Sequence, residues 1–199
     1  MKNTLFGLLM FAFLFCSSVH AQHGTELLQA DSLIQNHEYS SAQIILERII
    51  TDNPSRFELS KAYFLISQVH METGDLQKAS YHNQQSLSIR KDLHYEFIAD
   101  NYMLFGLIEM KKGDNKKALW NFFEAADLPY ESIEFGGLLY AYIAQVYYRK
   151  DDMKNVFKYY KIAMQALRTA YEEGDVADAI HYRVRRNRLY YERFFIGFL

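Results

Sequence analysis

The stretch Ala99–Ser132, ADNYMLFGLIEMKKGDNKKALWNFFEAADLPYES, decides the fold of this chain. Two amphipathic segments flank Gly113-Asp114-Asn115, and a turn of this kind ends one helix and begins the next. We therefore expect a helical hairpin in which Gly106 and Ala118 are small enough to let the two helices approach closely. The aromatic residues expected to fill the remaining core are Tyr102, Phe105, Trp120, Phe122 and Phe123.

The same layout recurs on both sides of this stretch, which indicates a repeat protein. Hairpins are expected near residues 23–56, 60–93, 99–132 and 137–170, within a repeat domain at residues 22–175. Their register is marked by Ala42, Ala79, Ala118 and Val156, which follow one another at intervals of 37, 39 and 38 residues. The predicted turns are His37-Glu38-Tyr39, Gly74-Asp75, Gly113-Asp114-Asn115 and Asp151-Asp152.

Within each hairpin, the pattern resembles the tetratricopeptide (TPR) repeat of 34 residues. That repeat favours a bulky residue at position 4, an apolar one at 7, small residues at 8, 20 and 27, aromatic residues at 11 and 24, and Pro at 32. The third repeat matches with Tyr102, Phe105, Gly106, Ala118, Phe122 and Ala125. The fourth matches with Tyr140, Ile143, Ala144, Tyr147, Tyr160 and Ala163. The second departs from the pattern at Asn83 and Ser86, and the first at Glu26 and Gln29.

This resemblance implies an all-α fold, a right-handed superhelix (α-solenoid) of about four TPR helical hairpins plus a C-terminal capping helix. No hairpin of this kind buries its own apolar face, so neighbouring hairpins must stack. The alternative is a generic all-α bundle with accidental periodicity, which would rarely keep four units in register.

Residues 1–21 resemble a secretory signal peptide. Lys2 precedes an apolar run from Leu5 to Phe15, and small residues lead to an expected cut after Ala21. We therefore expect a periplasmic or secreted protein. An uncleaved membrane anchor remains the alternative, although the run is short for a membrane span. Cleavage would remove Cys16, the only cysteine, and with it every disulfide or thiol site.

The composition is that of one globular domain with a sizeable core. The chain has 199 residues, is 50% hydrophobic and carries a formal net charge of -2. This charge gives no global attraction to nucleic acid or to an anionic membrane.

The C-terminal part, residues 176–199, is predicted to form a basic helix, near residues 176–195, and an apolar tail. Its basic residues are Arg183, Arg185, Arg186, Arg188 and Arg193. They are interpreted either as a contact with an acidic partner or a membrane surface, or as the solvated outer face of a capping helix. The tail from Phe194 to Leu199 is too short to span a bilayer.

No catalytic, cofactor or metal site is expected. The seven histidines do not form a His-Glu-x-x-His pattern, and the glycines lie at hairpin turns or small core positions. His70 is expected to be a partly buried helix residue and not a ligand.

The TPR resemblance also implies a concave binding groove, lined by positions 2, 5, 9 and 12 of each first helix. The corresponding residues here are Lys61, Phe64, Gln68, Met71, Asp100, Met103, Leu107, Met110, Leu138, Ala141, Gln145 and Tyr148. TPR domains that bind a terminal carboxylate carry Lys and Asn at positions 5 and 9, which this sequence lacks. A surface rich in Met and aromatic residues suits an amphipathic helix or an extended apolar peptide. The alternative is that the chain's own last helix fills the groove.

We therefore expect a non-enzymatic scaffold or adaptor that binds another protein or peptide, without a cofactor and without nucleic acid. The alternative is the sensor region of a membrane-associated signalling protein, of which this chain would be a short or truncated relative. Membrane association would then involve the Arg-rich segment.

Overall fold

The computed structural model describes residues 23–95, 98–130 and 132–172, and the predicted signal peptide, basic helix and apolar tail lie outside them. This part of the chain contains eight helices and no strand. The helices are α1 (residues 23–35), α2 (Tyr39–Thr51), α3 (Arg56–Thr73), α4 (Leu76–Asp92), α5 (Ala99–Lys112), α6 (Asn115–Ala126), α7 (Ile133–Arg149) and α8 (Met153–Glu172). None of these helices is long and apolar enough to cross a membrane.

The turns between α3 and α4 and between α5 and α6 lie where the sequence predicts them. Gly74 and Gly113 end α3 and α5 with φ of 91° and 84°, a left-handed conformation that glycine adopts without strain. The next residue in each case caps the following helix. The Asp114 carboxylate accepts a hydrogen bond of 3.0 Å from the backbone N–H of Lys117, and this bond lowers the pKa of the carboxyl.

The helices are arranged as a stack of hairpins. The most extensive contacts join α3 to α4, α5 to α6 and α7 to α8, and further contacts join α4 to α5 and α6 to α7. The first helices of neighbouring hairpins also meet, as α3 meets α5 and α5 meets α7. The prediction of an all-α helical repeat fold is confirmed. The right-handed sense of the superhelix stays a prediction.

The core of the third hairpin depends on a small residue facing an aromatic ring. Phe122 is fully buried, and a Cβ added at Gly106 would lie too close to its ring. The prediction that Trp120 adds bulk to this core is wrong, since its side chain is 57% exposed. Trp120 follows the buried Ala118 by two positions, and a helix turns its side chains through about 200° over that distance.

The departure from the TPR pattern at Asn83 is explained by a buried hydrogen-bonded pair. Asn83 Nδ2 donates to the backbone oxygen of Asn101 at 2.8 Å, and Asn101 Nδ2 donates to Asn83 Oδ1 at 2.8 Å. Arg90 Nη1 also donates to Asn101 Oδ1, at 2.8 Å. Both asparagines are fully buried, so these bonds join α4 to α5 at the position where the third hairpin has the contact between Phe122 and Tyr142.

Candidate functional site

The first helices of the four hairpins, α1, α3, α5 and α7, line one pocket of about 1090 Å³. Its apolar and aromatic wall consists of Leu27, Leu28, Ile34, Tyr39, Phe57, Phe64, Leu65, Met71, Met103, Leu104, Leu107, Phe135, Leu138 and Tyr142. Charged residues lie between them, namely Asp31, Glu58, Lys61, Glu72, Arg90, Asp100 and Glu134. The pocket is therefore of mixed character, with acidic side chains interspersed among apolar ones.

Most of the groove residues taken from the TPR resemblance line this pocket. They are Lys61, Phe64, Gln68, Met71, Asp100, Met103, Leu107 and Leu138. The structure brings them together because α3, α5 and α7 are the first helices of consecutive hairpins and turn the same face to the pocket.

The other groove residues lie elsewhere. Met110 is 8% exposed and packs in a core cluster with Leu119 of α6 and Ile143 of α7. Ala141 is buried, and Gln145 and Tyr148 are half-buried residues of α7 outside the pocket lining.

A buried arginine forms part of the pocket wall. The Arg90 guanidinium lies 4.8 Å from the centroid of the Phe64 ring and 4.0 Å from Asp100 Oδ2. Arg90 is only 6% exposed, and its bond to Asn101 ties it to the pair that joins α4 to α5. The cation and the ring therefore hold each other in place, and the pocket is built on a rigid junction between two hairpins.

Two exposed charged residues also line the pocket. The ammonium of Lys61 lies 4.5 Å from the centroid of the Phe57 ring. Glu72, also exposed, forms an ion pair of 3.0 Å with Lys111. These charges lie in water and contribute little to stability. They instead give the pocket wall charges of both signs.

Sequence reasoning missed two parts of the pocket. The predicted groove leaves out residues of the first hairpin, such as Leu28 and Ile34, although that hairpin itself is predicted. Arg90 was missed because it lies on a second helix, α4, whereas the TPR resemblance points only to first helices. Ile89 precedes Arg90 and the charged Lys91 and Asp92 follow it, so the sequence carries no signal that separates Arg90 from a solvent-exposed arginine.

No group of three or more metal-binding side chains occurs in residues 23–95, 98–130 and 132–172. Two histidines, His70 and His82, have stacked rings with centroids 5.3 Å apart between α3 and α4. Burial lowers the pKa of both, so they are neutral near pH 7. His70 is 6% exposed, so the expectation of a partly buried helix residue is met, with deeper burial than predicted.

Comparison with known proteins supports the fold. No protein-family model and no curated protein matches the chain. Two crystal structures of MamA, a helical repeat protein of the TPR type, are similar to it. One has a TM-score of 0.57 at 16% sequence identity and covers 81% of this chain and 87% of that chain. The other has a TM-score of 0.54 at 17% identity and covers 78% of each chain. The structural similarity, expressed by the two TM-scores, supports a shared helical repeat fold.

Proposed function

We propose that this protein is a non-enzymatic scaffold or adaptor that holds a segment of a partner protein in the pocket lined by α1, α3, α5 and α7. The observation that carries the proposal is that all four first helices contribute side chains to one pocket. Its volume of about 1090 Å³ exceeds that of most pockets for a single small molecule. A pocket of this extent fits several consecutive side chains of a peptide.

The chemistry of the wall indicates the kind of segment. Phe64, Met103, Leu107 and Leu138 are half-buried and offer an apolar surface to a ligand. Met103 has a flexible thioether side chain that adapts to ligands of different shape, whereas Met71 is 6% exposed and packs in a core cluster with Leu104 and Ile108. An amphipathic helix or an extended apolar peptide would bury its apolar side chains there.

The absence of catalysis is part of the same proposal. The charged side chains of the pocket wall have structural partners, since Glu58 accepts a hydrogen bond from the Ser55 backbone and Glu72 pairs with Lys111. Arg90 is bonded to Asn101. Glu58 thus caps α3 and Arg90 joins α4 to α5, and we assign none of these charged groups a role in proton transfer.

We further propose that the protein acts outside the cytoplasm. Support comes from the sequence of residues 1–21, with its basic start, apolar run and small residues before Ala21. Removal of that segment leaves a chain without cysteine, so the fold depends on packing and hydrogen bonds alone.

The test is a selection of peptides from a random display library on the immobilised protein, followed by affinity measurements with the enriched peptides. Met103→Glu should weaken binding by at least about tenfold, because a carboxylate would have to lose water where the peptide docks. Ile44→Glu is the matched control, since Ile44 is 69% exposed and does not line the pocket.

Circular dichroism should show the same helical content for the wild type and both variants. If the enriched peptides bind the Met103→Glu variant as tightly as the wild type, or if no peptide is enriched, the proposed function is wrong.

A further inference from the structure

The carboxylates that line the pocket differ in what balances their charge. Glu72 forms an ion pair of 3.0 Å with Lys111, and Asp100 Oδ2 lies 4.0 Å from the Arg90 guanidinium. Glu58 accepts a hydrogen bond from the backbone at the start of α3, as part of its capping box. Each of these three carboxylates thus has a cation or a backbone N–H group beside it.

Asp31 of α1 also lines the pocket, and its charge is not balanced in this way. Asp31 is half-buried, and its Oδ2 accepts a hydrogen bond of 2.9 Å from the neutral amide of Gln35. In the part of the chain that the structure describes, no ion pair and no other hydrogen bond involves this carboxylate. A half-buried carboxylate has lost part of its hydration, so a nearby cation would stabilise it.

The position of Asp31 within α1 does not explain the charge. Aspartate stabilises a helix at its start, where it complements the free N–H groups and the helix dipole. Asp31 lies instead in the second half of α1, residues 23–35, where aspartate is a poor helix former. Its bond to Gln35, one turn away along the helix, contributes little stability. The fold therefore gains little from this carboxylate.

An exposed apolar side chain lies next to Asp31 on the same face of α1. Leu28 precedes Asp31 by three positions, which places both on one side of the helix, and both line the pocket. The Leu28 side chain is 74% exposed. The helix α1 therefore offers a ligand an apolar surface and a negative charge side by side.

The basic residues of the pocket wall are held by aromatic rings. The Lys61 ammonium lies 4.5 Å from the centroid of the Phe57 ring, and the Arg90 guanidinium lies 4.8 Å from that of the Phe64 ring. Against these two cations, the lining contains five carboxylates, those of Asp31, Glu58, Glu72, Asp100 and Glu134. Carboxylates still outnumber cations when Lys111, the partner of Glu72, is added. This excess of negative charge favours a basic ligand over an acidic one.

We propose that Asp31 makes the pocket selective for a basic amphipathic segment of the partner protein. A lysine or arginine of that segment binds the Asp31 carboxylate, and a neighbouring apolar side chain of the segment packs against Leu28. Asp31 Oδ1 is the oxygen that receives the partner's cation, because Oδ2 already accepts from Gln35. This inference rests on the function proposed for the pocket and adds the class of segment that the pocket prefers.

The first test compares selections from one random peptide library on the full-length wild type, on Asp31→Asn and on Asp127→Asn. The first substitution removes the charge but keeps the shape of the side chain and an oxygen that can accept from Gln35. The second is the matched control, because Asp127 is exposed at the end of α6 and does not line the pocket. We expect the wild type and Asp127→Asn to enrich lysine or arginine, and Asp31→Asn to enrich them less.

The second test measures affinities for one enriched peptide and for an analogue in which glutamine replaces its basic residue. Asp31→Asn should weaken binding of the basic peptide about fivefold, as expected for the loss of a partly exposed ion pair. It should leave the affinity for the analogue unchanged, and Asp127→Asn should alter neither affinity. The advantage of the basic peptide on the wild type should shrink as the salt concentration rises.

The outcomes separate this inference from the proposed function. Peptides that Met103→Glu weakens but that carry no excess of basic residues would overturn the selectivity and leave the function of the pocket intact. Basic peptides that bind Asp31→Asn as tightly as the wild type would also overturn the role of Asp31. If no peptide is enriched at all, both the proposed function and this inference are wrong.

Discussion

The contact between Gly106 and Phe122 shows how a single small residue sets the distance between two helices. A Cβ at position 106 would meet the buried Phe122 ring, which itself packs against Tyr142. A tightly packed ring cannot move without displacing its neighbours. The spacing of α5 and α6 therefore depends on the absence of a side chain at this position.

Replacing this glycine should destabilise the protein. We expect Gly106→Ala to lower the free energy of unfolding by about 1–3 kcal/mol through overpacking. Gly24→Ala is the control, because Gly24 is exposed in α1 and nothing lies within 4 Å of an added Cβ. Since alanine favours helices over glycine, that control should be neutral or stabilising by up to about 1 kcal/mol. Urea unfolding of both variants measures the difference, and equal effects would contradict this explanation.

The Asn83–Asn101 pair allows a second prediction about single residues. Asn101→Ala should cost about 1–3 kcal/mol, because the buried amide of Asn83 and Arg90 Nη1 both lose a partner. Asn36→Ala, at an exposed position, is the control and should change stability little. A double-mutant cycle with Asn83→Ala should show coupling between the two asparagines. Additive effects would mean that the pair does not act as a unit.

The sequence indicates that Asn83 is unusual but not why. The TPR pattern marks position 83 as a departure, yet the partner Asn101 belongs to another hairpin, and the pairing depends on how α4 meets α5. The wrong prediction for Trp120 has a similar cause. Residue type favours the core for tryptophan, but the turn of α6 places it outside.

Among the elements, the junction of α3 and α4 contains the histidine pair. His70 and His82 stack at 5.3 Å, and Tyr63 stacks on His82 at 5.6 Å. Burial lowers both pKa values, and Lys78 lowers them further, while Asp75 and Glu47 act in the opposite direction. The charge of His70 also lowers the pKa of His82. Protonation would thus place two cations close together inside the hairpin.

This arrangement predicts a pH dependence of stability. In the unfolded chain, histidine has a pKa of about 6.5, so below that pH the unfolded state binds more protons than the folded state. The contribution of the two neutral histidines to the free energy of unfolding is therefore complete above about pH 6.5. It is lost as the pH falls through the lower pKa values that they have in the folded state. We expect the urea midpoint to fall between pH 8 and pH 5.

Substituting both histidines measures how much of the pH dependence of stability they cause. The double variant His70→Gln and His82→Gln should show a smaller fall than the wild type. His37→Asn, at an exposed position, should show the wild-type fall. An unchanged pH profile in the double variant would assign the effect to other groups.

The sequence predicts which helices form better than it predicts where each helix begins and ends. The glycines at 74 and 113 and the acidic turn at 151–152 end helices where expected. The second hairpin begins earlier than the predicted Ser60, because Ser55 and Glu58 form a capping box that starts α3 at Arg56. Periodicity locates the buried face of a helix, whereas capping side chains decide its first residue.

In the whole molecule, some residues of α5 line the pocket and others pack against the neighbouring helices. Met103 lines the pocket, and Met110, two turns further on, is buried against α6 and α7. The repeat pattern assigns both to the groove. It could not separate them, because the burial of Met110 depends on how closely the next hairpin packs.

This division predicts opposite outcomes for the same substitution. Met110→Glu should lower the free energy of unfolding by more than about 3 kcal/mol, because a carboxylate would lie in an apolar cluster. Met103→Glu should change it by less than about 1 kcal/mol, since that side chain is half-buried at a pocket wall. Urea unfolding measures both. Similar losses at the two positions would show that the pocket wall is part of the core.

The sequence predicts only the central part of the candidate site. The periodic pattern leads to the residues that α3, α5 and α7 supply, and the shared fold with MamA agrees with such a stack. The contributions of α1 and of Arg90 depend on how neighbouring hairpins pack, which a repeat pattern does not specify. The partner is not encoded in the fold at all.

The measurement that tests the central claim most directly is photo-crosslinking of an enriched peptide to the full chain. The crosslinking amino acid p-benzoylphenylalanine replaces Met103 in one sample and Trp120 in the other, which places the probe in the pocket or on an exposed face of α6. We predict that the peptide crosslinks at position 103 and not at position 120. Crosslinking at 120 alone, or equally at both positions, would contradict the claim that the pocket is the binding site.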